Sequence, residues 1–216
     1  MPWSDVISRL AGRPAQRAGD GDWRGCWRQE ARAAAIAPWF PVCAGIRVFP
    51  ELDSPALGEF SPSVIGATAP ILVWLAEEAL ARRLRLPGLD RALVAWSAIG
   101  HAVLKPAERD LLWLAYPVPV YEEIRGPRGE LLAWECEAHC GLHVAERRAV
   151  FVAGEDGELS VCLGYPDGRT TPPLSLGLEG RVETAACACG RAGRRILELR
   201  NRVEAAPRAS VKTAAG

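Results

Sequence analysis

Residues 70–97 read PILVWLAEEALARRLRLPGLDRALVAWS, and this stretch decides the fold class. Its first half repeats apolar residues at helical spacing from Pro70, a residue suited to a first helical turn, until Pro87-Gly88 ends the helix. Its second half contains Ala92–Ser97, a short apolar run typical of a buried strand. A helix followed by a buried strand indicates a mixed or parallel sheet with helices packed on it.

A second helix–strand pair follows the first. Lys105–Leu114 has the pattern of a helix, and Val118–Glu122 that of another short strand. After Gly126 the chain changes to an antiparallel meander, with a hairpin turn at Gly154-Glu155-Asp156-Gly157. The strands predicted there are Glu130–Glu135, Leu142–Glu146, Ala149–Ala153, Leu159–Leu163 and Gly180–Thr184. We therefore expect an α/β (α+β) fold, in which a βαβ-like mixed sheet with helices precedes the meander.

The ends of the chain are less regular than its middle. Pro and Gly interrupt residues 1–61, where several tryptophans can anchor the segment on the core and one helix is predicted at Trp27–Ala37. The residues beyond Val203 are small and polar, which is typical of a loose tail. These patterns divide the chain into four parts: an irregular Trp-rich segment at 1–61, an α/β subdomain at 62–128, a β-rich subdomain at 129–204 and a flexible tail at 205–216.

Composition excludes several classes of function. Lys and Arg together number 26, as do Asp and Glu. The formal net charge is therefore zero, and the chain has no excess of positive charge that would attract nucleic acid or anionic lipid. The longest apolar stretch, Ala67–Ala76, is about half a membrane span, and the N-terminus lacks the apolar region of a signal peptide. We expect a cytoplasmic protein that binds neither nucleic acid nor membrane. The abundance of Arg over Lys indicates a GC-rich bacterial genome.

Cysteine and histidine gather in two clusters. Residues 134–143, WECEAHCGLH, and the later Cys187-Ala188-Cys189-Gly190 hold four of the seven cysteines and two of the three histidines. An odd number of unevenly spaced cysteines in a reducing compartment favours metal binding or buried thiols over disulfides. The candidate ligands are Cys136, His139, Cys140, His143, Cys187 and Cys189.

Zinc is usually held by four thiolate or imidazole ligands, so these candidates exceed what one closed structural site needs. In a strand, the spacing of Cys136 and His143 would place them on opposite faces, so a turn at Gly141 must bring them together. Cys136 with Cys140 would suit a helical turn instead. The alternatives are a set of buried thiols with a core histidine, or a nucleophilic role for Cys140, which no Cys–His–Asn/Asp pattern supports.

The order of these motifs resembles the middle of the phenylacetate–CoA ligase-type enzymes, in the adenylate-forming superfamily. The resemblance runs from about Pro62 to Glu204 and implies a partial adenylate-forming-enzyme core. Its specific part is Glu135-Cys136-Glu137 with Gly141-Leu142-His143 and then Cys187–Arg191. Weaker matches are Thr68-Ala69-Pro70, Leu75–Ala79, Gly157-Glu158-Leu159 and the hinge-like Asn201–Glu204. Because some members of the family carry a structural zinc, the resemblance nominates Cys136, His143, Cys187 and Cys189 as ligands, with His139 and Cys140 as alternates.

The departures from that family concern its nucleotide site. No Ser/Thr/Gly-rich phosphate loop occurs in residues 1–61, and the Gly-Gly-Glu-Pro-Leu loop has become Gly100–Leu104, without its acid. A gapless alignment puts Ile124 at the adenine-stacking Tyr, Pro127 at the phosphate-side Thr and Arg128 at the metal-associated Glu. The stretch with the ribose-binding Asp is replaced by Leu174–Gly180, and we expect the domain with the catalytic Lys to be missing after the hinge. We expect neither ATP nor Mg²⁺ to bind, and no adenylation.

Two classes of function remain. In the first, the chain is an ATP-independent enzyme of specialised metabolism that hydrolyses, condenses or cyclises a small acyl, aryl or polyketide-like substrate, including thioesters. The catalytic candidates in the segment that corresponds to the family's acyl pocket are His101, Tyr121, Glu122 and Glu123, and the candidates for binding a carboxylate or phosphopantetheine phosphate are Arg125 and Arg128. A capping His101 and ordinary surface charges are the structural alternatives.

In the second class, the chain is a non-catalytic, zinc-stabilised partner or pseudoenzyme. It would complete a split ligase with a partner subunit, or dock an acyl carrier protein. The tryptophans of the first third would suit such an interface or a homodimer.

Overall fold

The structure is a computed structural model that describes residues 32–42, 45–98, 102–165 and 168–202. In these residues, one sheet of eleven strands carries three helices. The strands are β1 Ala33–Ile36, β2 Ile46–Phe49, β3 Val64–Thr68, β4 Ala92–Ala98, β5 Val120–Arg125, β6 Leu131–Glu135, β7 Leu142–Val144, β8 Ala149–Ala153, β9 Glu158–Leu163, β10 Leu174–Thr184 and β11 Arg194–Asn201. The helices are α1 Ser54–Phe60, α2 Ala69–Leu80 and α3 Pro106–Ala115. The strand order is β2-β1-β3-β4-β5-β6-β7-β11-β10-β9-β8.

The first five strands of that order are parallel, as the helix–strand alternation predicts. Helix α2 connects β3 to β4 and α3 connects β4 to β5, and both helices pack on one face of the sheet in a core that includes Ile65, Leu93 and Leu112. Pro70 lies in the first turn of α2 as expected. The helix ends at Leu80, before Pro87-Gly88, because Arg82 takes a left-handed conformation at φ 59°.

The predicted helix at Trp27–Ala37 is wrong for Ala33–Ile36, which form strand β1; residues 27–31 lie outside the described residues. All four residues of β1 are buried, and the strand pairs with β2 on one side and β3 on the other. Alanine favours a helix in isolation, but pairing on both edges and burial on both faces override that weak preference. Residues 46–60 are also more regular than expected, since they supply β2 and α1.

The second half of the sheet is antiparallel, as predicted, but its strands do not form one continuous meander: β7 pairs with β11, and β8 lies at the edge of the sheet. Gly154–Gly157 form the turn between β8 and β9, closed by the hydrogen bond from the Gly154 N–H to the Glu158 carbonyl at 2.9 Å. Strand β11 was not predicted; it inserts between β7 and β10. The predicted flexible tail at 205–216 lies outside the described residues. Within the described ranges, no helix is both long and apolar enough to cross a membrane.

Candidate metal centre and the neighbouring groove

The two Cys/His clusters meet because of the strand order. One cluster lies in the connection between β6 and β7, and the other in the connection between β10 and β11. Since β7 pairs with β11 through His143 and Arg195, the two connections lie side by side at one end of the sheet. The ligand atoms of Cys136, His143, Cys187 and Cys189 all lie within 4.8 Å of one another. These four residues can therefore hold a single metal ion.

The spacing of the ligand atoms fits a tetrahedral ion. Cys136 Sγ lies 3.6 Å from Cys187 Sγ, and Cys189 Sγ lies 3.4 Å from His143 Nε2. For zinc–sulfur bonds of about 2.3 Å and zinc–nitrogen bonds of about 2.0–2.1 Å, the edges of the tetrahedron measure about 3.5–3.8 Å. Three of the four residues are buried, and Cys189 is half-buried, which is typical of a closed structural site.

Two glycines give the loops the turns that the ligands need. Gly141 has φ 102°, and a Cβ at this position would lie 2.5 Å from the Ile196 carbonyl oxygen. The expected turn at Gly141 is thus confirmed, and it brings Cys136 and His143 into one cluster. In the second loop Gly190, at φ 80°, donates its N–H to the Cys187 carbonyl at 2.9 Å. Only glycine adopts such conformations without strain.

Arg195 ties the two Cys/His loops together, a role that sequence reasoning missed. Its side chain is 7% exposed and donates from Nη1 to the Cys140 carbonyl at 2.9 Å and from Nη2 to the Ala186 carbonyl at 3.4 Å. A second tie is the ion pair of Arg191 with Glu137, at 2.8 Å. Because Arg195 belongs to the unpredicted strand β11, no local pattern marks it.

Burial and nearby charges shift the pKa values of two residues of the cluster. Burial raises the pKa of Cys136 to about 12, so its thiolate is costly unless a cation compensates the charge. Burial, followed by the nearby guanidiniums of Arg191 and Arg195, lowers the pKa of His143. The neutral imidazole that a metal requires is thus the stable form. Trp134 stacks on His143 with the ring centroids 5.6 Å apart, which limits rotation of the imidazole.

The two alternate ligands lie outside the set of four. Cys140 Sγ contacts Cys187 Sγ at 3.0 Å and accepts a hydrogen bond from Arg195 Nη1 at 3.2 Å. The hydrogen bond with Cys187, with further help from Arg195, lowers the pKa of the Cys140 thiol. His139 takes a left-handed conformation at φ 47° and is directed away from the cluster. Its Nδ1 lies 3.0 Å from Glu135 Oε1, and its ring stacks on Tyr121 at 5.0 Å.

The catalytic candidates on β5 do not converge. Side chains alternate along a strand, so Tyr121 and Glu123 lie on one face of the sheet and Glu122 on the other. Glu123 is 3% exposed, accepts a hydrogen bond from the Trp96 indole at 3.0 Å and pairs with Arg125 at 2.5 Å. Arg125 is 2% exposed and also donates to the Gly129 carbonyl at 2.9 Å. These two residues are satisfied by each other inside the core.

The remaining candidates lie apart from that pair. The Arg128 guanidinium lies 5.4 Å from the ring centroid of Tyr165, on the surface. His101 lies outside the described residues. The predicted catalytic and substrate-binding roles of these residues stay predictions.

Glu122 belongs to a network with two residues that the sequence did not single out. Arg109 of α3 donates from Nη2 to Glu122 Oε2 and to Glu135 Oε2, both at 3.0 Å. The Glu122 N–H donates to Glu135 Oε2 at 3.0 Å, and Glu122 Oε1 accepts from the Leu104 N–H at 2.9 Å. Burial raises the pKa of Glu122, while Arg109 opposes that shift.

Two members of this network, Arg109 and Glu135, line a groove of about 500 Å³ beside the candidate metal centre. The groove lies at the amino end of β5, where α3 and the β6–β7 loop approach each other. Its lining combines an aromatic surface, a His–Glu pair and an arginine: Arg109, Asp110, Trp113, Pro119, Val120, Glu135 and His139. It therefore joins a proton acceptor to an apolar contact surface.

The fold is that of the adenylate-forming ligases. Solved structures of 2-hydroxyisobutyryl-CoA ligase superpose over most of the chain: the complex with 2-HIB-AMP and CoA in the thioesterification state has a TM-score of 0.60 and 15% identity over 93% of this chain and 47% of the ligase. The open conformation has a TM-score of 0.57 and 16% identity over 90% of this chain and 48% of the ligase. The postadenylation state with 2-HIB-AMP has a TM-score of 0.58 and 14% identity over 89% of this chain and 44% of the ligase.

The chain thus spans about half the length of the ligases that it resembles in structure. At 14–16% sequence identity, this similarity shows the fold alone. No protein-family model matches the sequence, and no curated protein matches it.

Proposed function

We propose that this ligase-fold protein is an ATP-independent enzyme that acts on an acyl or aryl substrate, with a structural zinc ion beside its active groove. The observation that carries the proposal is the groove at the amino end of β5. There, two of the predicted catalytic residues, Tyr121 and Glu122, contact a His139–Glu135 pair that the sequence had not assigned to catalysis.

The groove supports proton transfer. With Glu135 ionised, His139 donates from Nδ1 to the carboxylate, which leaves Nε2 as the acceptor for a substrate proton or a water. Glu135 is itself held by Arg109 and by the Glu122 N–H, so the histidine is oriented before a substrate arrives. A histidine oriented by a buried carboxylate is the arrangement that general-base catalysis uses.

The sequence departures at the nucleotide site support ATP independence. The ligase motif aligns with the carboxyl end of β5, where Arg125 turns back onto Glu123 and the Gly129 carbonyl. Arg128, at the position of the metal-associated Glu, carries a positive charge that opposes Mg²⁺ binding. Phosphoryl chemistry depends on positioned charge and metal, so these replacements disfavour adenylation.

Zinc is the ion we propose for Cys136, His143, Cys187 and Cys189. Three thiolates and one imidazole in tetrahedral spacing are typical of a structural zinc site, which leaves no coordination position for a substrate. When bound, the ion would cross-link the β6–β7 and β10–β11 loops and neutralise their thiolates. Elemental analysis should give one zinc per chain.

A thioester assay tests the enzymatic proposal. The zinc-loaded chain is incubated with the benzoyl and phenylacetyl thioesters of N-acetylcysteamine, with and without ATP–Mg²⁺, and products are quantified by mass spectrometry. We expect thioester consumption without ATP, a loss of at least tenfold in His139→Ala (about 1.4 kcal/mol in the barrier), and no heat of ATP–Mg²⁺ binding in calorimetry. Formation of an acyl-adenylate, or tight ATP–Mg²⁺ binding, would overturn the proposal.

One observation favours the non-catalytic partner as a second candidate. Four large apolar side chains on α2 and α3 are exposed: Trp74 at 38%, Leu80 at 43%, Trp113 at 57% and Leu114 at 70%. Exposed apolar residues on adjoining helices suit contact with another polypeptide, such as a ligase subunit or an acyl carrier protein. If the thioester assay gives no turnover with the zinc-loaded chain, the enzymatic proposal fails and this candidate takes its place.

A further inference from the structure

We propose that the groove beside the metal centre is a binding site for an aromatic amine. The inference rests on the proposed function, in which this amine would be a second substrate that accepts the acyl group and whose N–H meets His139. It concerns the amino end of β5, which is the opposite end of the strand from the residues that align with the ligase nucleotide motif.

The charge of the groove favours a cation over an anion. Arg109 is its positive residue, and this guanidinium is already engaged by the Val120 carbonyl at 2.6 Å and by Glu122 and Glu135. The two carboxylates that line the groove, Asp110 and Glu135, outnumber it. A carboxylate or phosphate ligand would meet this excess of negative charge, whereas an ammonium group would be attracted.

The apolar part of the groove favours an aromatic ring. Trp113 is 57% exposed and lies one helical turn after the exposed Asp110, so an indole face and a carboxylate lie side by side on α3. A cation next to an aromatic face gains from the ring quadrupole, and a ligand ring can stack on the same surface. An aromatic amine satisfies both features with one small molecule.

His139, another residue of the lining, supplies a directed acceptor. Its ring is fixed by the 3.0 Å contact of Nδ1 with Glu135 and by the stack on Tyr121, with the two planes inclined by 19°. The ligand's N–H can therefore donate to Nε2 while its ring contacts Trp113. A site with an aromatic wall, a carboxylate and a fixed acceptor is more specific than an apolar cleft.

The metal-binding loop holds His139 in this position. The His139 N–H donates to the Cys136 carbonyl at 3.0 Å, which closes a turn that begins at a metal ligand. Arg195 anchors the next residue, Cys140, through its carbonyl oxygen and its sulfur. Loss of the ion should therefore release the turn and weaken binding in the groove, although the ion does not touch the ligand.

Calorimetry with two indole probes of opposite charge tests the proposal. Tryptamine and indole-3-propionate share a ring, and we expect the zinc-loaded chain to bind tryptamine at least tenfold more tightly (a factor of ten being about 1.4 kcal/mol). Asp110→Asn should remove most of that preference, and Trp113→Leu should weaken both probes. Trp74→Leu, at an exposed tryptophan of α2 that does not line the groove, is the matched control and should leave binding unchanged.

Equal binding of the two probes, a preference for the acid, or tryptamine binding that survives both groove substitutions would overturn the site. The outcome is separable from that of the thioester assay. Tryptamine binding without thioester turnover keeps the site and refutes the enzyme, whereas turnover without tryptamine binding keeps the enzyme and refutes this ligand.

Discussion

Replacement of Arg125 by methionine tests whether the ion pair at the carboxyl end of β5 belongs to the core. Arg125 donates to Glu123 Oε2 from Nε at 2.9 Å and from Nη2 at 2.5 Å. Its guanidinium also lies 5.2 Å from the ring centroid of Phe40. Methionine keeps much of the side-chain length but removes the charge and the donors.

The expected cost follows from burial. The Glu123 carboxylate would stay in the core with the Trp96 indole as a neutral donor, and breaking a buried pair in this way costs about 3–5 kcal/mol. Loss of the cation–aromatic contact adds about 0.5–2 kcal/mol. We therefore expect a loss of about 4 kcal/mol in the free energy of unfolding, a large share of the roughly 5–15 kcal/mol that a domain has.

Urea-induced unfolding of the zinc-loaded chain, followed by circular dichroism at pH 7, measures this loss. Arg83→Met removes an ion pair with Glu78 whose arginine is 65% exposed, and this matched control should unfold at the wild-type urea concentration. The double substitution Glu123→Gln with Arg125→Met removes both charges and should recover most of the stability. If Arg125→Met unfolds at the same urea concentration as Arg83→Met, the structural assignment of Arg125 is wrong.

Three further predictions concern the metal loops and the core. Cys187→Ser should reduce bound zinc well below one per chain in elemental analysis, whereas Cys162→Ser, at a buried thiol outside the cluster, should retain the ion; equal zinc in both variants would contradict the assigned ligands. Gly141→Ala should cost about 2–4 kcal/mol in urea unfolding, because its φ is positive and the new Cβ would meet the Ile196 carbonyl. Gly190→Ala also has a positive φ but meets no atom within 4 Å, so a smaller cost of about 1–2 kcal/mol is expected, and the reverse order would refute the steric argument. Burial raises the pKa of Tyr116 from 10.0 to about 12, so the stability from its neutral phenol is present below pH 10 and is lost as the pH rises to about 12. Tyr116→Phe should flatten the alkaline fall of the melting temperature over that range, and an unchanged fall would contradict this reasoning.

Much of the local structure follows from patterns that a single segment carries. The helical spacing after Pro70 and the apolar run at Ala92–Ser97 correspond to α2 and β4, and the predicted strand at Ala149–Ala153 corresponds to β8. Strands β1 and β11 have no such signal. Ala33–Ile36 is a strand because its neighbours β2 and β3 pair with it, and β11 is placed by its partners β7 and β10.

The residue types of the metal centre are visible in the sequence because zinc chemistry needs thiolates and imidazoles in close pairs. The choice among six candidates depends on directions that the folded loops impose. Gly141 turns His143 back to Cys136, while the left-handed conformation of His139 directs that side chain to Glu135. The sequence alone leaves both histidines eligible.

The alternation of elements and the pool of candidate metal ligands can be read from the sequence alone, since both depend on residue type and short-range spacing. Only the tertiary structure decided which groups meet. Glu122 and Glu123 are neighbours in the chain, yet the pleat of β5 places one in the groove network and the other in the core with Arg125. Arg109 and Glu135, 26 positions apart, come within 3.0 Å of each other because α3 and β6 both pack beside β5. Strand alternation and long-range pairing, which no short segment encodes, set the chemistry of this protein.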